Sequence, residues 1–157
     1  MNVLYILLIG AVSGLAGAAA MYAFMRGVGT AFSRRVDMIL ALGSFFTGGI
    51  EGAARLGAFL HAGAGLFFGA IYLLAMDRIG AAALPHSLFL GIGIGFFHGL
   101  LMSYLLMFYA SARHPLKDYR DATLEEGFLH LAGHVLYGAV TGLAGGLLFM
   151  LVMCSPA

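Results

Sequence analysis

Four stretches of this sequence are each long and apolar enough to cross a lipid bilayer: roughly Val3 to Met25, Leu56 to Met76, Leu88 to Ala110, and Gly127 to Met153. A spanning helix needs about 20 predominantly apolar residues. In hydrocarbon the backbone must satisfy its own N–H and C=O groups, and a continuous apolar run does so as a helix. Composition agrees. Of 157 residues, 62% are hydrophobic and 10% are charged, against about 25% charged in a soluble domain. That leaves too little polar surface to cover a soluble globule. The expected fold is all-α: an integral-membrane four-helix bundle, with residues 1–157 forming one transmembrane domain.

The first run competes with a cleaved signal peptide, because "AGAAAMYA" offers small residues. Met1 to Met25 contains no Lys or Arg, however, and a signal peptide carries a basic leading region. Arg26, Arg34, Arg35 and Arg55 lie between the first two runs, and Arg113, Lys117 and Arg120 between the last two. Only Arg78 lies between the second and third. The positive-inside rule then places both basic linkers in the cytoplasm and both termini outside. A net charge of +1 gives no sign of a nucleic-acid partner. Cys154 is the only cysteine, which excludes an intrachain disulfide and any cysteine-only metal site.

"MILALGSFFTGGI", Met38 to Ile50, is apolar but about 20 Å long as a helix. It reads as a short interfacial or re-entrant segment in the first linker. A fifth span would invert the termini and break the charge pattern.

The chain repeats itself. "FLHAGAGLFFGA" (Phe59 to Ala70) matches "FLHLAGHVLYGA" (Phe128 to Ala139) at an offset of 69, His61 to His130. The first and third runs align more weakly at an offset of 82, pairing Gly17 with Gly99, Tyr22 with Tyr104 and Met25 with Met107. Two tandem two-helix repeats follow, parallel and related by an axis along the membrane normal. Small residues recur every four positions: Gly10-Gly14-Ala18, Gly65-Gly69, Gly91-Gly95-Gly99 and Gly138-Gly142-Gly146. Such stripes let helix backbones approach closely, and they also offer faces to other membrane subunits or to a second copy.

Histidines are the candidate functional groups. His61, His98, His130 and His134 lie within runs, whereas His86 and His114 lie in loops beside Pro85 and Pro115. Ionisable residues within spans default to a functional reading, set against interfacial anchoring or interhelical hydrogen bonding. Counted from the cytoplasmic ends, His130 lies about 5 Å deep, His61 about 8 Å, His134 about 11 Å and His98 about 18 Å. His61 and His130 are repeat equivalents and suit a scaffold role. His98 and His134 break the repeat, with Ala16 and Gly65 at the matching positions, and are the better site residues.

Three chemistries fit. Haem b can be held by two histidines on different helices, with His134 one axial ligand and His61 or His98 the other. A non-haem metal can sit on Glu126, His130 and His134, which share one helical face. Here Thr123 competes for Glu126 by the capping-box spacing. A proton or solute path can run through histidines. The nine methionines suit gap filling better than copper binding.

"GHVLYGAVTG" resembles the His-x-x-Tyr-Gly segment of small uncharacterised bacterial inner-membrane proteins of the YagU-like kind. The resemblance covers one run and implies a bacterial inner-membrane location without an activity. No nucleophile–base pair, phosphate loop or complete catalytic motif is visible, so an enzyme is not expected. The expected function is a haem- or metal-binding electron-transfer subunit of a membrane redox complex. A cofactor-free accessory subunit packing through its glycine faces is the alternative, and a small transporter or channel the third reading.

Overall fold

The computed structural model describes residues 2–31 and 37–154, and every described regular element is helical. The order is α1 (Val3–Ala31), α2 (Met38–Thr47), α3 (Ala53–Arg78), α4 (His86–Leu105), a π turn (Leu106–Ala110), α5 (Ser111–Arg113), a 3-10 turn (Lys117–Tyr119) and α6 (Leu124–Cys154). Arg34 and Arg35, on which part of the charge asymmetry rests, lie outside the described residues. Four helical stretches are long and apolar enough to cross a membrane: Val3–Gly29, Ala53–Arg78, His86–Arg113 and Leu124–Cys154. Large apolar side chains stand on their outer faces, with Phe59 75% and Phe97 71% exposed. In water each would cost about 1.5–3 kcal/mol of forgone burial; in lipid that cost disappears. The fold is the expected all-α four-helix bundle of a small multi-pass membrane protein.

The short segment is helix α2, 10 residues or about 15 Å long, too short to span. It starts at Asp37, whose carboxylate accepts from the Leu40 N–H at 2.9 Å. It stops at Gly48, whose φ of 74° lies in the left-handed region that favours glycine. The chain then turns back, and α2 packs along the first half of α3. Gly43 meets the Ala53 carbonyl and Gly57 meets the Ile39 carbonyl, so neither position has room for a Cβ.

The spanning helices pair as the repeat suggests, and their glycine contacts fix the register. In the first half the Gly10 carbonyl lies against Gly69, the Cα of Gly14 also lies against Gly69, and the Gly65 carbonyl lies against Gly14. In the second half the Gly91 carbonyl lies against Gly138, the Cα of Gly95 lies against Gly138, and the His134 carbonyl lies against Gly95. The α3-to-α6 offset is 69, as expected. The α1-to-α4 offset is 81, Gly10 to Gly91, one residue short of the alignment drawn from the sequence. The counterpart of His98 is therefore Gly17 and not Ala16.

Around the bundle the helices run α3, α1, α6, α4, each packed closely on the next, while α4 and α3 touch little. The buried core lies between α1, α3 and α6, where Ile6, Met21, Met25, Tyr72, Leu73 and Tyr137 are almost fully enclosed. The fourth side of the ring, between α3 and α4, is partly open.

Candidate functional site: a histidine-floored cavity

The open side holds a cavity of about 650 Å³. Ala18 and Met21 of α1, Phe68 of α3, Met102 of α4 and Phe45 of α2 give it apolar walls. All four histidines within spans line it, together with Tyr137. Ala64, Leu105 and Phe46 line it and are also exposed on the apolar outer surface. Asp37, Asp118 and Arg120 line it at the polar end and are exposed too. The cavity thus reaches both the lipid-facing side and the polar rim.

The two halves of the chain differ at the residues that line this opening. Gly17 lies against Tyr137 and Thr141 of α6, where a Cβ would run into the Thr141 hydroxyl and come within 2.9 Å of the Tyr137 ring. The equivalents of Tyr137 and Thr141 in the first half are Phe68 and Tyr72. At Gly17's equivalent stands His98, which meets those two residues: its ring centroid is 4.3 Å from that of Phe68 and its Nδ1 is 2.9 Å from the Tyr72 hydroxyl. Glycine lets α1 close on α6. Imidazole between α4 and α3 keeps that pair apart, by simple volume.

The histidine rings cluster. His134 lies edge to face with His98, centroids 4.8 Å apart, and with His130, centroids 4.6 Å apart. One hydrogen bond assigns a tautomer. His134 Nδ1 is 3.0 Å from the His130 carbonyl; a carbonyl only accepts, so Nδ1 carries the proton and Nε2 the lone pair. The Tyr72 hydroxyl and His98 Nδ1 share a hydrogen bond of 2.9 Å, in which the phenol can donate or accept. His98 Nε2 is buried and has no partner among the described residues, and neither does His130 Nδ1. An unpaired buried polar group costs about 1–3 kcal/mol.

The two scaffold candidates behave differently. His61 ties α3 to α1, its Nε2 donating to the Ala18 carbonyl at 3.0 Å. The equivalent tie from His130 to Gly99 does not form. Nearby, Tyr137 donates to the Gly65 carbonyl at 2.8 Å and its ring meets Tyr72 at 5.6 Å.

These positions bear on the cofactor readings. Two axial imidazoles must face each other across a macrocycle. His98 and His134 touch edge to face with no gap for a plane, and His61 spends its Nε2 on Ala18. The rings as placed do not form a bis-histidine haem site. Glu126 closes a capping box: the Thr123 N–H donates to its carboxylate at 2.7 Å, and its own N–H donates to the Thr123 hydroxyl at 3.3 Å. No three His, Cys, Asp or Glu side chains among the described residues converge on a metal position.

The sequence understated His114. It is buried, accepts from the Leu116 N–H at 3.1 Å through Nδ1, and donates from Nε2 to the Ala41 carbonyl of α2 at 3.0 Å. Phe45 and Tyr119 lie against its ring in tilted contacts. It pins α2 over the polar end of the cavity. Pro115 beside it was the only sequence signal, and it reported a loop, not a contact 73 residues away. Burial pushes the Tyr119 phenol up from its ordinary pKa, and the carboxylates of Asp37 and Asp118 add to the shift.

The glycine stripes are spent inside the chain. Gly14, Gly69, Gly95, Gly138 and Gly142 all abut backbone of a neighbouring helix, whereas Gly63 and Gly93 face open space. No family model, curated protein or solved structure matches the chain. The class of protein is set by its helices alone: a small multi-pass membrane protein with a histidine-floored cavity.

Proposed function

We propose that this protein binds a lipophilic ligand in the cavity between α3 and α4, as a ligand-bearing subunit of a bacterial inner-membrane assembly. The observation that carries this reading is the pairing of apolar walls with a few polar side chains, His61, His98, His130, His134 and Tyr137, in the lining of one cavity. Ligand sites are built in this way. Exposed apolar lining at Ala64, Leu105 and Phe46 supports access from the bilayer. The basic linkers support a cytoplasmic position for the polar rim and outside positions for both termini. The YagU-like resemblance of "GHVLYGAVTG" supports the inner membrane. Internal use of the glycine stripes removes the main ground for the cofactor-free accessory reading.

The test is purification in mild detergent, followed by solvent extraction with mass spectrometry, an absorption spectrum and metal analysis. The expected result is one lipophilic compound in stoichiometric amount, lost from Ala64→Trp and Met102→Trp variants that fill the cavity. Identical extracts from filled and unfilled proteins overturn the reading. A haem spectrum or a stoichiometric metal in the same sample replaces it with the haem b or metal reading.

A further inference from the structure

We infer that the cavity selects a lipid-tailed molecule whose head is a protonated primary amine; this rests on the ligand-binding reading above. The hydrogen-bonding pattern of the lining calls for a donor. His134 is 8% exposed and gives its Nδ1–H to the His130 carbonyl, so its Nε2 carries a lone pair. His61 gives its Nε2–H to the Ala18 carbonyl, so its Nδ1 carries one too. Both bonds end on carbonyls, which only accept, so the acceptor fixes each assignment. These two nitrogens lack a partner among the described residues, and each keeps accessible surface, unlike the enclosed His98 Nε2 and His130 Nδ1. Both side chains line the cavity. One turn farther along the same two helices, Tyr137 of α6 bonds the Gly65 carbonyl of α3 at 2.8 Å, so a single side chain spans the distance between the two histidine walls. Charging either imidazole within an apolar span is costly, so the pair offers acceptors and no free donor.

Charge in the lining calls for a cation. Asp37, Asp118 and Glu126 line the cavity, and Arg120 is the only lysine or arginine among its described lining residues. Arg120 already donates to the His114 and Pro115 carbonyls, at 2.7 and 3.2 Å. The carboxylates thus outnumber the guanidinium in a cleft with apolar walls, which focuses a negative field there. Aromatic rings in the walls, Phe45, Phe68 and Tyr137, add to the preference for a cation. A primary ammonium meets both conditions, with three donors, one charge and no acceptor. A quaternary ammonium brings the charge without a donor, an alcohol the donor without the charge, and a carboxylate neither. The tail has a route as well. From the histidines the apolar lining runs out to Ala64 and Leu105 on the lipid-facing surface, so an alkyl chain can stay in hydrocarbon while the head lies inside.

The probe is tritiated decylamine at neutral pH, where an amine of pKa about 10.4 is charged, bound to the protein in detergent micelles with empty micelles subtracted. Decyl-trimethylammonium, decanol and decanoate serve as competitors. Expected is saturable binding of one molecule per chain. The trimethylammonium and the alcohol should each compete about tenfold less well than unlabelled decylamine, equivalent to about 1.4 kcal/mol, and decanoate less well still. Asp118→Asn, at an exposed position, should weaken amine and trimethylammonium alike and spare the alcohol. His134→Phe should narrow the preference for amine over trimethylammonium. His134→Gln, which keeps an acceptor, should retain part of it, so loss of fold and loss of recognition are separable. Equal competition by the trimethylammonium or the alcohol overturns the head-group inference while the lipophile reading stands. An undiminished preference in His134→Phe, or a preference for decanoate in the unmodified protein, overturns it likewise. Unsaturable partition alone overturns it too, and the extraction experiment then decides the broader reading independently.

Discussion

His98 and Gly17 occupy equivalent positions in the two halves of the chain and have opposite effects on the helices beside them. Gly17 admits the Tyr137 and Thr141 side chains and the backbone of α6. His98 fills the corresponding space with an imidazole that rests on Phe68 and bonds Tyr72. A bundle with nearly matching halves thereby acquires one closed and one open interface.

Removing the wedge should close the open side. In His98→Gly, α4 is expected to settle toward α3 as α1 does toward α6. Spin labels at the exposed positions Phe67 and Leu101 should report a shorter interhelical distance than in the otherwise unchanged protein. An unchanged distance would mean that other contacts set the gap.

Glycine substitutions should sort by space. Gly14→Ala and Gly138→Ala each drive a methyl group into a facing backbone carbonyl, and overpacking of this kind costs about 1–3 kcal/mol or more. Gly95→Leu should impair assembly outright. Gly63→Ala and Gly93→Ala meet nothing and gain about 0.5–1 kcal/mol of helix propensity. Thermal unfolding in one detergent checks the series, and equal loss at all positions would contradict the packing described.

His114→Ala should free α2 without unfolding the spans. It removes the buried hydrogen bond to the Ala41 carbonyl, which keeps its bond from the Ser44 hydroxyl, a net loss of about 0.5–1.5 kcal/mol. Hydrogen exchange in residues 38–47 should accelerate while the spanning helices keep their protection. His86→Ala, at an exposed position, should change neither.

Alkaline pH should loosen the same corner. The Tyr119 phenol has its pKa raised by burial and by Asp37 and Asp118, so the folded state holds its proton more tightly than the unfolded chain does. That contribution is fully present below the ordinary phenol pKa of about 10 and is lost as pH rises above it. Tyr119→Phe should therefore flatten the alkaline fall in stability relative to the unmodified protein, measured as thermal midpoints from pH 8 to 11. Parallel curves for the two proteins would remove Tyr119 from the account.

Reporter fusions at Ala157 and beside Lys117 should fall on opposite sides of the membrane, with Ala157 outside. Four spanning helices put both ends on one side, and the basic linkers choose which. A cytoplasmic Ala157 reporter would reverse the orientation.

Much of this architecture could be read along the chain because helix formation in lipid is a local matter. Length and hydropathy marked the four spans, and the shortness of Met38 to Ile50 marked α2 as non-spanning. Thr123 and Glu126 announced the start of α6, since a capping box needs residues only three apart. Four-residue glycine spacing announced close packing, and the Phe-Leu-His match gave the α3-to-α6 offset.

What the tertiary structure decided was which faces meet. Identities such as Tyr22 with Tyr104 suggested an offset of 82, but those tyrosines lie away from the glycine contacts, and backbone contact between Gly91 and Gly138 requires 81. That single shift gives His98 its counterpart in Gly17. The His114 bond to Ala41 and the rings gathered around His134 likewise join residues from separate helices. Hydropathy and spacing act within a few turns of one helix and so are written in order along the chain. Contacts between helices depend on volume and register summed over the whole bundle, where His98 and Tyr72 stand in one half at the places of Gly17 and Thr141 in the other.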